Sequence, residues 1–233
     1  MPDLVLYVRG GENEELRYAL RSWCQNLKFR KLCVVGGPIP LWLRPDIYIP
    51  NPKRWPVMRQ CYENLLLATK DRRVAEDIIV VMDDVFVMKP AGSWEINYNR
   101  GTLGEQYKKS VSRSGTTGYN QLVRSTDIFL RHLYEEPLSF EEHAPFRCKK
   151  TLLRETLEKI GEKKCSQLLW RSVYGNTREI PTEYRKDLKV PERNDFWPTN
   201  APVISTTERS FRGRVGVMLQ DRFQRKSKYE RTI

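Results

Sequence analysis

The segment Asp77 to Met82, with Ile78-Ile79-Val80-Val81 at its centre, constrains the fold more than any other stretch of the chain. Consecutive β-branched residues leave no alternation of apolar and polar positions, so both faces of such a strand are apolar. A strand buried on both faces belongs inside a parallel sheet covered by helices. The residues before it agree. Leu4 to Val8 reads as a short buried strand, broken by Gly10-Gly11. Glu14 to Leu27 has helical spacing, with Leu16, Ala19, Leu20 and Trp23 on one face and Asn13 placed as its N-cap. Lys31 to Val35 predicts a second strand, ended by Gly36-Gly37-Pro38; Asp46 to Ile49 predicts a short third, and Trp55 to Lys70 a second helix. The order β-α-β-(β)-α-β predicts an α/β fold, with a Rossmann-like, mostly parallel sheet flanked by helices.

Beyond Pro90 the character changes. Residues 91–117 are rich in Gly, Ser, Tyr and Asn with little periodicity, which predicts a mobile loop from about Gly101 to Thr117. Tyr119 to Tyr134, Lys150 to Ile160 and the shorter Ser166 to Tyr174 read as helices. Asp187 to Val190 and Val203 to Ser205 read as late strands, and Arg209 to Phe223 as a turn and a final helix. The basic end, Gln224 to Ile233, is expected to fray or to dock on a partner. A length of 233 residues suits one large domain, or one domain with an embedded second module. No run approaches the roughly 18–20 apolar residues that span a bilayer, and Met1-Pro2-Asp3-Leu4 enters a strand without a basic and apolar leader. A cytoplasmic protein with no membrane span is therefore expected.

The formal net charge is +12, and the surplus is spread along the chain at Lys28 to Lys31, Lys53-Arg54, Arg147 to Lys150, Arg212 to Arg214 and Arg222 to Lys228. Such a surplus attracts nucleic acid, anionic membranes or anionic small molecules. The five cysteines have no C-x-x-C spacing, so they read as reduced core thiols, not as a zinc or disulfide framework.

Open parallel sheets bind ligands beyond the carboxyl ends of their strands. Asp83 and Asp84 stand at such an end. Adjacent carboxylates there suit a hard cation such as Mn²⁺ or Mg²⁺ that bridges a pyrophosphate, though the pair is not D-x-D; the alternative is a capping or loop pair. The end of the first strand, Tyr7-Val8-Arg9-Gly10-Gly11, offers an edge for a nucleotide, with Arg9 as a phosphate donor, or is a simple turn. Neither a dinucleotide fingerprint nor a P-loop is present.

Several of these segments resemble a known group. Glu15-Leu16-Arg17-Tyr18-Ala19-Leu20-Arg21-Ser22, Val34-Val35-Gly36-Gly37, Pro40-Leu41-Trp42-Leu43 and Met82-Asp83-Asp84-Val85-Phe86 resemble, in that order, the core of Stealth-type sugar-phosphate transferases, with Met82 in place of the usual Asn. A closer resemblance is to bacteriophage-encoded glycosyltransferases, which share a later set seen here as Glu142-His143-Ala144-Pro145, Arg171 to Asn176, Asp187 to Val190 and Ser205 to Phe211, with Glu208 where Asp is expected. The resemblance covers most of the chain. It implies a type-A glycosyltransferase (GT-A) fold and a nucleotide-sugar donor, a UDP-sugar first, with residues 1–90 as the nucleotide-sugar-binding half. Residues 91–233 would then be an acceptor-side half with a helical insertion and a basic tail.

On that basis the expected donor contacts are Tyr7, Val8, Arg9, Gly36, Asp83, Arg171 and Asn176, with Asp83 and Asp84 as metal ligands. Arg171 is read as a diphosphate clamp and Asn176 as a sugar ligand, against a helix C-cap role for that segment. Asp84, His143 and Asp187 are the expected catalytic residues, His143 as a general base or metal ligand against a structural loop histidine. His132 reads as a packing or surface residue. Trp94, Tyr119, Ser205, Arg209 and Arg212 are the expected acceptor contacts, although Ser205 with Glu208 also reads as a capping box. The favoured acceptor is a modified base in phage DNA, which the charge would hold through phosphates and an aromatic loop would help flip. The competing expectations are a sugar-phosphate transferase, glycosylation of a virion protein, and a non-enzymatic nucleic-acid-binding module. A phage-encoded enzyme would act in the host cytoplasm.

Overall fold

The computed structural model describes residues 1–92, 97–185, 189–190 and 200–231. Its centre is a five-stranded sheet built from β1 (Asp3–Val8), β2 (Leu32–Gly36), β3 (Ile47–Pro50), β4 (Asp77–Val81) and β7 (Phe146–Lys149) in the order β3-β2-β1-β4-β7. The first four strands are mutually parallel and β7 runs antiparallel along β4. The protein is thus α/β with a mostly parallel sheet. The chain goes from β1 to β2 and β3 on one side, then returns to place β4 on the other. The order reverses between β1 and β4, the point where such sheets open a crevice.

Strand periodicity sorts the core onto two faces. Leu4, Leu6, Leu32, Val34, Ile79 and Val81 face one layer, covered by helix α1 (Glu14–Asn26) through Leu16, Ala19, Leu20 and Trp23. Val5, Cys33, Val35, Ile78 and Val80 face the other, covered by α2 (Val57–Lys70), α5 (Lys150–Lys164) and α6 (Trp170–Thr177) through residues such as Leu65, Leu153 and Val173. Helical geometry in α5 breaks at Gly161, whose φ is 70°.

Two short pairings complete the frame. β5 (Val85–Val87) pairs antiparallel with β9 (Val203–Ser205), and β6 (Tyr98–Asn99) pairs parallel with β8 (Glu183–Tyr184). Side chains of α1 serve the polar groups on the far edge of β5: Trp23 Nε1 donates to Val85 O at 2.7 Å, Asn26 Nδ2 donates to Val87 O at 2.7 Å, and Ser22 Oγ accepts from Val87 N at 3.0 Å. Lys189 bridges Ser205 in parallel, so the strand expected from Asp187 to Val190 is seen only at Lys189-Val190; Asp187 lies outside the described residues.

Three expectations need correction. The loop expected from about Gly101 to Thr117 is mostly helix α3 (Leu103–Ser114), followed by α4 (Gly118–Arg131). Thr102 and Glu105 cap α3 reciprocally and Thr117 caps α4. The box expected at Ser205 and Glu208 falls two residues later, where Thr207 and Ser210 cap the short α7 (Glu208–Phe211). The basic C-terminal segment, after α8 (Arg214–Arg222), is not frayed over its described residues, which end at Arg231. It docks on this chain: Arg44 N donates to Tyr229 O at 2.8 Å, Arg231 N donates to Trp42 O at 2.7 Å, and Tyr229 is buried. All five cysteines are free, four of them buried. Among the described residues no helix is long and apolar enough to cross a membrane.

Candidate active site

A cleft of about 610 Å³ opens at the C-terminal edge of the sheet, between the ends of β1 and β4. Val85 N donates to Met82 O at 3.2 Å, closing a turn around Asp83 and Asp84. That turn brings both carboxylates to the cleft instead of alternating them across the sheet. Asn13 Nδ2 donates to Asp83 Oδ2 at 2.7 Å, while Asn13 Oδ1 accepts from Leu16 N at 2.9 Å. One side chain therefore caps α1 and fixes Asp83. Asp84 O accepts from Thr206 N at 3.0 Å, and its carboxylate stands 3.7 Å from Lys189 Nζ.

A third carboxyl, Glu15, joins this wall and accepts a hydrogen bond from Thr206 Oγ1. Burial, with the charges of Asp84 and Asp83 added, pushes the Glu15 carboxyl up to about 7 against the Thr206 hydrogen bond. Burial and then the Asp84 charge also raise Asp83. The N-terminus of α1 points at this cleft, but Glu14 and Glu15 already occupy its first turn. This wall is therefore acidic, with Lys189 beside Asp84 as a cation within it.

The opposite wall comes from Tyr7 on β1, Gln60, Cys61 and Asn64 on α2, Trp170 and Arg171 on α6, and the segment Glu141 to His143. Arg171 is only 4% exposed. Its Nη1 donates to the carbonyls of Glu142 and Ala144 at 2.6 and 3.1 Å, and Nη2 has no hydrogen-bond partner among the described residues. A buried guanidinium with a spare donor beside a cleft suits an anionic ligand. Glu141 accepts from Ser172 N at 3.1 Å and Ser172 Oγ at 2.8 Å; burial raises its carboxyl despite the Arg171 charge. Burial pushes the Cys61 thiol up to about 11 and the Tyr7 hydroxyl well above its ordinary value, so neither supplies a nucleophile near neutrality.

Of the residues expected from sequence, Tyr7, Val8, Arg9, Asp83, Asp84, Tyr119, His143 and Arg171 line the cleft together. Five others do not. Gly36 lies under the end of β1, where its φ of 135° and a would-be Cβ 2.0 Å from Val8 O give it a packing role. Asn176 donates to Leu138 O and Ser172 O and accepts from Leu138 N, which ties two segments together. Ser205 is fully buried in β9. Arg209 and Arg212 are exposed on and beyond α7, Arg212 paired with Glu208. Trp94 and Asp187 lie outside the described residues.

Sequence reasoning missed Glu15, Glu141 and Lys189 as cleft residues. The position of Glu15, two residues past the Asn13 cap of the helix that follows β1, was a usable signal. Lys189 carried none, because its bridge to Ser205 brings it to Asp84 from more than 100 residues away.

Among the described residues no group of three or more His, Cys, Asp and Glu side chains is arranged to hold a metal ion. Two adjacent carboxylates still fit Mg²⁺ or Mn²⁺, which commonly take one or two protein carboxylates and complete their shell with phosphate oxygens and water. The chain matches no protein-family model, and no curated protein matches it.

Proposed function

We propose that this chain is a glycosyltransferase of the type-A fold that moves a sugar from a nucleotide donor, a UDP-sugar first, to a hydroxyl acceptor. The observation that carries the reading is the turn of Asp83 and Asp84 into a cleft at the strand-order reversal between β1 and β4. Asp83 and Asp84 would hold a divalent cation, which when bound neutralises the diphosphate that leaves. Arg171 offers its spare Nη2 to a donor oxygen, and Arg9 stands exposed at the rim for a phosphate. His143, on the opposite wall, takes the proton of the acceptor hydroxyl. The net charge of +12 favours a hydroxylated base in DNA as that acceptor.

Thermal unfolding tests this with UDP-, GDP-, ADP- and TDP-sugars, with and without Mn²⁺. One donor at a hundredfold its Kd adds about 2.7 kcal/mol, roughly 5–10 °C in Tm for a chain of this size. Asp84→Asn should keep the fold by circular dichroism and lose both that shift and donor turnover. Release of nucleoside monophosphate in place of diphosphate would mean transfer of the sugar phosphate. No shift with any donor would remove the reading.

A further inference from the structure

A second cavity, of about 730 Å³, lies at the opposite edge of the sheet, before the first residues of β1 and β2. One wall is the end of α1 and the turn after it, Leu27, Lys28 and Phe29. The other is Arg222 at the end of α8 and the docked C-terminal segment after it, with Arg225, Lys226 and Lys228. Among the described residues no acidic side chain lines it. Arg21, a further cation there, is neutralised by Glu230 through hydrogen bonds of 2.9 and 2.7 Å, and its Nη1 also holds the carbonyls of Phe223 and Gln224. That buried anchor fixes the segment's backbone.

Lys28, Arg225, Lys226 and Lys228 are exposed and have no acidic partner among the described residues. Folding has thus brought cations from two distant parts of the chain to the rim of one hollow, against their mutual repulsion. The ring of Phe29 lines the hollow and is stacked on Tyr229, with centroids 6.1 Å apart and planes at 19°.

We propose that this hollow binds a single-stranded nucleic acid, its phosphates on Lys28, Arg225, Lys226 and Lys228 and one base against Phe29. Cations on both sides of a concave site track a backbone, and an aromatic in its wall accepts any base by stacking. A duplex keeps its bases stacked and cannot fill the hollow. An anionic membrane meets flat or convex surfaces rather than a recess of this kind. The site stands independently of the transferase reading.

The test is fluorescence anisotropy of a labelled oligothymidylate over a series of salt concentrations, with the same length of duplex and anionic phosphatidylserine vesicles as further arms. The full chain should bind the single strand more tightly than the duplex. Lys226→Glu with Lys228→Glu should weaken it by roughly tenfold or more and flatten the log–log salt slope by about 1.4, the value for two lost single-strand phosphate contacts. Phe29→Leu should weaken it roughly five- to a hundredfold with the slope kept. Lys28→Glu repeats the charge test from the other wall, should Phe29→Leu unfold the chain. Unchanged affinity and slope in the charge-reversed variants would overturn the proposal. So would duplex binding that the reversals weaken as much as they weaken single-strand binding, or vesicle binding that the reversals abolish while the oligonucleotide stays unbound. Donor-induced Tm shifts read on the same variants separate failure here from failure at the cleft.

Discussion

Glu15 holds its proton in the folded state at pH values where the unfolded chain has released it. Its carboxyl moves from an ordinary 4.5 to about 7 because it is buried beside Asp84 and Asp83. Between those two values the native state binds more protons, so stability is fully present below about 4.5 and falls as pH rises to about 7. At most about 3 kcal/mol is involved. Calorimetric Tm should therefore drop between pH 5 and pH 8, and Glu15→Gln should flatten that drop; equal slopes in the two proteins would show that Glu15 is not the titrating group. Saturating Mn²⁺ should raise Tm more at pH 8 than at pH 5, since a cation competes with the proton for the same crowded carboxyls. The place of Glu15 at the start of the helix after β1 was legible in the sequence, but its enclosure was not. Glu15 reads as one more surface acid in a first helical turn, and only the arrival of Thr206 and the acid pair encloses it.

At the scale of elements, the meeting of β1 and β2 sets the shape of the cleft rim. A Cβ on Gly36 would lie 2.0 Å from Val8 O, and its φ of 135° strains any other residue. Gly36→Ala should cost about 3 kcal/mol or more, seen as a lower urea midpoint at unchanged m; a loss under 1 kcal/mol would mean the two strand ends can part. The sheet itself was readable from sequence because unbroken apolar runs such as Ile78 to Val81 have one good environment. Helix α3 was not. Its apolar face, Leu103, Tyr107 and Val111, is only three side chains long, and the Gly, Ser and charged residues between them mimic a loop. Asn176 and Ser205 were misassigned for a related reason: their hydrogen-bonding groups are engaged with, or buried against, backbone that no local pattern announces.

The whole molecule is closed by its last turns. Glu230 is 2% and Arg21 8% exposed at the side chain, and the two meet across 209 residues of sequence. Glu230→Ala leaves a buried guanidinium without its counter-charge, which should cost about 3–5 kcal/mol in chemical unfolding. Arg21→Met with Glu230→Leu should recover much of that loss, and a double variant as unstable as the single one would contradict the account. The sequence shows the basic tail but not this anchor, since a single acid among many cations reads as incidental. The pairing of β5 with β9 has a temporal consequence. Asp83 and Asp84 leave the ribosome more than a hundred residues before Thr206, so a nascent or truncated chain that stops near residue 200 carries the acid pair with half its wall missing. On the proposed transferase reading, donor binding should then be missing from any N-terminal fragment that ends before Thr206.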